Sequence, residues 1–324
     1  MKTFHSIIAS ASALLFCTLP GNVPGWGFLA HKQINRSAVF ALPVPLFGFY
    51  KENIEYITDH AVSPDKRRYA VDGEAAHHYI DLDHYGASPF DSLPFRWTDA
   101  EAKFTRDSLY AHGVIPWHIV KVFYRLKMAF EEKDSKRILK YSADLGHYIG
   151  DAHVPLHCTS NYNGQLTNQH GIHGFWETRL PELFLAEYDL LTGTCKYIDN
   201  VQQTAWDIIK ESANAIDSVL HFERQLHDKF PPDRKYSWEQ KGNQSIKVYS
   251  REYSEAYDRM LNGMVERRFR SSVVAAAAFW YTAWLEAGQP DPDLLGKPDS
   301  TNVDIETEDN AFQNRKNEHK GHVD

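Results

Sequence analysis

The chain has 324 residues, 43% hydrophobic and 24% charged, the balance of a globular protein with a sizeable core and not of a disordered chain. Its formal charge of -8 and pI near 6.1 exclude a broad electrostatic grip on nucleic acid or anionic lipid, while leaving room for a site that handles one phosphate at a time. Histidine departs from this ordinary composition, with 17 residues, 11 of them between His60 and His173, a density that points either to metal or to scattered surface imidazoles.

The first residues read as a secretory signal. Met1-Lys2 gives a weakly positive start, Ile7 to Phe16 an apolar run too short for a stable membrane anchor, and Val23-Pro24-Gly25 the small residues that a signal peptidase reads. Cleavage after Gly25 leaves Trp26 first and places the protein in the periplasm or outside the cell. Cys17 follows the bulky Phe16, a poor fit to a lipoprotein cleavage site. Cys158 and Cys195 then remain; they either pair or stay thiols, and Cys158, next to His157, is also a candidate thiolate ligand. No later apolar run is long enough to cross a membrane.

Helical spacing runs from Ala30 to Leu42 up to the Pro43-Val44-Pro45 break, and again from Asn53 to Val62. From Ser63 to Trp97 the text is rich in His, Asp, Tyr and Pro and keeps no sustained period, the kind of polar segment that often carries function. Thr98-Asp99-Ala100-Glu101 is a capping-box pattern opening a helix to Leu109, and Pro116 opens another to Glu132. Further helices are expected over Lys136 to His153, Gly174 to Leu190, Val201 to Leu226, and about Ile246 to Gly288 with an interruption near Asn262-Gly263. No strand pattern stands out. The expected class is therefore all-α, one domain over residues 26–296, with a polar tail from Lys297 to Asp324 too poor in apolar residues to fold.

The candidate metal ligands fall into this frame. His147 and Asp151 lie four residues apart on one helix face, and His157 follows the Val154-Pro155 stop, from where it can turn back. His173 and Glu177 repeat the same spacing at the start of the next helix. His78 and Asp65 stand upstream in the irregular stretch, with Asp59 and Asp72 as alternatives to Asp65. Cleavage at Gly25 would give Trp26 a free amino group and carbonyl oxygen near His31, a complete chelating set. His77, His84, His118, His153 and His170 either support a ligand by a hydrogen bond or are simply exposed.

Together, Trp-Gly-x-x-Ala-His from Trp26, His-Tyr-Ile-Asp from His78, the run from His147 to His157 and His-x-x-x-Glu from His173 resemble the zinc-dependent phospholipase C and single-strand-specific nuclease superfamily. That resemblance implies an all-α fold with a cleft holding three zinc ions. It places Asp65, His78, His147 and Asp151 on one zinc; Trp26, His31 and the shared Asp151 on a second; and His157, His173 and Glu177 on the third. It implies a zinc-bridging hydroxide that attacks a phosphodiester, with two metals about 3.5 to 4 Å apart. Asp65 and Arg68 belong to this machinery, Arg68 as a charge for the transition state or, in the plainer reading, a surface arginine.

The substrate implied is single-stranded nucleic acid or a nucleotide, cleaved by a monomeric nuclease or 3′-nucleotidase. Tyr79 resembles the aromatic on which that branch stacks a base, unless it packs in the core, and Asp81 the acid that hydrogen-bonds the base. Glu177 and the short segment from His157 to His173 resemble the phospholipase branch, so a phospholipid head group is the alternative, although Leu29, Lys66 and Ala75 do not make a choline pocket. Val44 to Tyr50 is the one apolar stretch suited to a lipid surface, or else a piece of core. A non-catalytic secreted zinc-binding protein would need the same ligands.

Overall fold

The computed structural model describes residues 27–295; the expected signal segment and its cleavage site, Trp26 and the tail from Lys297 lie outside them. The described chain is mostly helical. Helix α1 (Phe28–Phe40) runs into α2 (Val44–Glu52) and α3 (Ile54–Asp59), the last continued by a tight turn at His60–Val62. The Val44 to Tyr50 stretch is thus helical, and it buries Leu46, Phe49 and Tyr50 while Val44 stays exposed. The irregular segment keeps only single turns at Ser63–Arg67, Ala75–His77, Leu82–Tyr85 and Pro89–Ser92.

Next come α4 (Trp97–Phe104) and α5 (Arg106–Ala111), where one helix was expected. The capping box does not form. Thr98 turns its hydroxyl to Asp99, and the chain breaks at Thr105, whose positive φ of 63° ends α4 and whose hydroxyl caps α5 at the Ser108 amide. Helices α6 (Ile115–Glu131) and α7 (Ser135–Ala152) match their expected spans, α7 capped by Asp134 and stopped before Val154-Pro155.

Instead of a regular helix over Gly174 to Leu190, the chain makes a turn at Ile172–Gly174, a wide π turn at Phe175–Arg179 and a short helix at Leu180–Phe184. Pro181 explains the widening: it has no N–H to give the Glu177 carbonyl, and the Gly27 amide donates there instead, at 3.3 Å. Helix α8 (Val201–Lys229) is longer than expected by part of a turn.

The expected helical text starting at Ile246 is corrected: residues 236–249 form a β-hairpin, β1 (Tyr236–Lys241) pairing antiparallel with β2 (Gln244–Tyr249) across Gly242-Asn243. Gly242 has φ of 60°, as the first position of a two-residue hairpin turn of this kind demands. Helix α9 (Arg251–Leu261) then ends at Asn262-Gly263, both with positive φ, where the interruption was expected, and α10 (Met264–Glu286) follows.

Among the described residues two apolar clusters result. One joins α2, α6, α7 and α10 through Phe123, Phe130, Leu145, Ile149, Phe279 and Trp280; the other lies under the hairpin around Phe175, Trp176, Tyr253, Tyr257 and Phe269. Helix α1 touches both, with Ala30 and Ile34 in the second and Ala38 and Val39 in the first, so that His31 and Asn35 face α7. Two glycines of α7 make that approach possible. A Cβ on Gly146 would lie 2.0 Å from Asn35 Oδ1, and one on Gly150 3.2 Å from His31 Nδ1. Asn35 fixes the crossing by donating to the Ala143 carbonyl at 3.0 Å.

Gly146→Ala is expected to lower stability by about 1 to 3 kcal/mol through this clash, read as a lower urea midpoint with unchanged slope. An unchanged midpoint would mean that α1 does not sit this close to α7.

Candidate metal centre

Helix α7 delivers His147 and Asp151 one turn apart, both at 0% exposure. The His147 Nδ1–H donates to the Ala61 carbonyl at 2.8 Å, which leaves Nε2 turned inward, 3.1 Å from Asp151 Oδ2 and 3.1 Å from His78 Nδ1. His78 Nδ1 is also 2.8 Å from Asp151 Oδ2. His31 reaches in from α1, its ring stacked 3.9 Å from that of His147 and its Nε2 3.2 Å from Asp151 Oδ1. Asp65 completes the group, 3.8 Å from His147 Nε2 and 3.9 Å from His78 Nδ1.

His157, carried by the Pro155–Cys158 turn, donates from Nδ1 to the His78 carbonyl at 2.6 Å. His173 donates from Nδ1 to the Tyr162 carbonyl at 3.3 Å. Both therefore turn Nε2 toward Glu177, whose two oxygens stand 3.3 and 3.0 Å away. A metal-binding histidine is oriented in this way, one ring N–H held by a carbonyl and the other nitrogen left for the metal.

Among the described residues these eight side chains form three groups that could each hold a metal, the first two of them adjoining: His31, Asp65 and His147; His78, His147 and Asp151; and His157, His173 and Glu177. The polar atoms they leave unused support this fit. Both ring nitrogens of His31, both oxygens of Asp65, Oδ1 of Asp151 and both oxygens of Glu177 are buried with no hydrogen bond of good geometry. Each such atom costs about 1 to 3 kcal/mol unless something satisfies it. A cation held in each group would satisfy the atoms that face it.

Electrostatics point the same way. Burial pulls the His147 imidazole down, but the carboxylates of Asp151 and Asp65 outweigh it and hold it at about 9. Burial likewise pulls His78 to about 3. Asp151 lies well below the carboxylate range because His147 and His157 overcome its desolvation, whereas desolvation pushes Asp65 up. Three imidazoles and two carboxylates packed this closely cannot all keep their preferred protonation, and a divalent cation could take the place of the contested proton.

Asp65, rather than Asp59 or Asp72, is the acid brought to the centre: Asp59 pairs with Lys32 at the surface and Asp72 is exposed. Arg68 lies beside it, its guanidinium 3.8 Å from Asp65 Oδ1 and its side chain 7% exposed, so it is no surface arginine. Trp26 lies outside the described residues; Gly27, next to it in the sequence, donates its amide to the Glu177 carbonyl at 3.3 Å.

Tyr79 is corrected. It is 1% exposed, with its carbonyl and ring packed against Gly113 and no face open to stack a base. Asp81 sits nearer the surface, 3.6 Å from His112, and burial with the Asp83 charge raises its carboxyl to about 7. Cys158 and Cys195 are free and buried; Cys158 donates toward the Ile209 carbonyl at 3.8 Å and belongs to none of the three groups.

The positions that spacing could not find are the braces. Arg67 pairs with Asp144 and Glu74, and Tyr148 donates to Glu74, which holds the irregular segment to α7. His77 joins this network, stacked on His118, so these two histidines are neither ligands nor exposed. At the end of α7, Ser212 donates to the Ala152 carbonyl at 2.6 Å and Arg268 to that of His153 at 2.9 Å.

No protein-family model matches the chain, and no curated protein matches it. The described residues form a mostly helical structure with three buried groups of side chains that could each hold a metal ion.

Asp151 faces His31, His78 and His147 at once, so Asp151→Ala is expected to remove more bound metal than His31→Ala or His78→Ala. Elemental analysis of the purified variants checks this; equal losses would deny Asp151 its shared position.

Proposed function

We propose that this chain is a secreted zinc-dependent phosphodiester hydrolase of the phospholipase C and single-strand-specific nuclease type, acting on single-stranded nucleic acid or nucleotides as a monomer after cleavage at Gly25. The observation that carries the reading is the Asp151 carboxylate, whose Oδ1 faces His31 at 3.2 Å while its Oδ2 faces His78 at 2.8 Å and His147 at 3.1 Å, so that it stands between two adjoining groups, next to a third reached through the His157–His78 contact. Structural zinc sites are closed four-ligand sets, and shared ligands belong to clusters with open positions. All ligand atoms are imidazole nitrogens or carboxylate oxygens, a donor set suited to zinc.

Zinc bound here would supply an activated water and positive charge for a phosphate. The chain's own residues do the rest. Asp151, His78 and His147 fix the spacing within the first two groups, and Asp65 is drawn between His147 and His78 on one side and Arg68 on the other. Arg68, nearly buried, holds a fixed cation at the edge of the cluster, where charge grows on phosphorus in the transition state. Asp81, ionising near pH 7, presents a carboxyl that either donates or accepts toward a base.

A phospholipid head group is the second reading. It is favoured by one observation: buried Tyr79 offers no stacking platform, which weakens the nuclease side. Against it, the Val44 to Tyr50 stretch turns most of its apolar side chains into the core.

Side-by-side assays of the mature protein on single-stranded DNA, RNA, 3′-nucleotides and phosphatidylcholine decide between the readings. Hydrolysis of the nucleic acids, abolished by a chelator and restored by zinc, is expected. Hydrolysis of the lipid alone would overturn the substrate, and no hydrolysis of any would leave a zinc-binding protein without this activity.

A further inference from the structure

Away from the metal groups lies a buried ion pair of Lys235 and Glu223. Glu223, on α8, is 1% exposed and Lys235, just before β1, is 9% exposed. Lys235 Nζ is 2.9 Å from Glu223 Oε1 and 2.9 Å from His227 Nδ1. Three tyrosine rings surround the ammonium, Tyr253 at 4.9 Å, Tyr249 at 5.5 Å and Tyr236 at 5.7 Å from the ring centres. Glu223 also accepts from the Tyr253 hydroxyl at 2.7 Å and, on its other oxygen, from Gln169 Nε2 at 2.7 Å.

Gln169 connects this cage to the third metal group. It sits in the loop between His157 and His173, and it donates a second time to the Leu220 carbonyl at 2.8 Å, so that the loop is pinned to α8. The same loop supplies the Tyr162 carbonyl that orients His173. Tyr249 of the cage reaches the loop too, donating to the His170 carbonyl at 3.3 Å, and its ring lies flat on Phe175, 3.9 Å away. Phe175 stands between His173 and Glu177 in the chain, and the Tyr253 and Tyr257 rings also pack on it. Through these contacts the cage holds both the His173 loop and the π turn that carries Glu177.

We infer that Lys235, caged by Tyr236, Tyr249 and Tyr253 and paired with Glu223, is a positioning residue for the His157–His173–Glu177 group. The physical reason is the cost of an unpaired buried charge. Without Lys235, the Glu223 carboxylate must take up a proton or draw in water, and either one disturbs its bonds to Gln169 and Tyr253. The other two metal groups have braces of their own, Arg67 with Glu74, Asp144 and Tyr148, and Ser212 with Arg268 at the end of α7. The effect is therefore confined to the third group. The inference rests on the reading that these groups bind metal.

The test is a zinc titration of the mature full-length protein against buffered free zinc, with bound metal counted per chain. Lys235→Met is expected to leave two zinc affinities within about twofold and weaken one by about 10- to 100-fold, the usual effect of losing a residue that supports a ligand. Lys235→Arg, which keeps the charge in the cage, should restore it. Tyr253→Phe, a change small enough to leave the fold intact, should weaken the same site by about 5-fold, the worth of one hydrogen bond. An unchanged third affinity, or a loss spread over all sites together with a lower melting temperature, would overturn the inference. A wild-type protein that binds no zinc would overturn the metal reading itself, and the inference with it.

Discussion

The side chain on which the site depends is the Asp151 carboxylate, fully buried and faced by His31, His78 and His147 from three different parts of the chain. A buried carboxylate with Asp65 close by would repel its neighbour and resist folding unless positive charge lay between them. The imidazoles supply some of that charge, but burial penalises each protonated ring, and two ring nitrogens facing each other at 3.1 Å cannot both carry protons. A cation would relieve the arrangement, and several features of the fold hold these side chains in place. Gly146 and Gly150 let α1 bring His31 to α7, and Asn35 locks the crossing.

Other parts of the fold deal with the backbone that ligand placement leaves unsatisfied. Helix α7 ends on its ligand-bearing turn, and Ser212 and Arg268 take the carbonyls of Ala152 and His153 that the helix no longer uses. Pro181 leaves the Glu177 carbonyl without its usual partner, and the Gly27 amide takes it. The same proline that widens the turn thereby leaves a partner for Gly27, the first described residue.

The ligands with helical spacing were legible in the sequence. His147 with Asp151 and His173 with Glu177 declare themselves at i and i+4, and the end of α7 follows from Val154-Pro155. Asp65 and His78 stand in text with no period, so only the resemblance singles them out. The hairpin is hidden because both its faces carry polar side chains, and its one clear signal is the two-residue Gly242-Asn243 turn between aromatic and β-branched residues. Tyr79 illustrates the opposite limit: its place beside a ligand suggests a stacking role, while its burial depends on Gly113, far from it in the sequence. Arg67, Glu74, Gln169 and Glu223 act through partners distant in the chain, so no local pattern marks them.

The central claim is that these buried groups are metal sites and that the metal is zinc. Crystals of the mature protein, measured just above and just below the zinc absorption edge, test it most directly. The account predicts three anomalous peaks, two of them adjacent on the sides of Asp151 and the third between His157, His173 and Glu177. Side chains that hydrogen-bond one another around ordered water, with no anomalous peak in the presence of zinc, would contradict it.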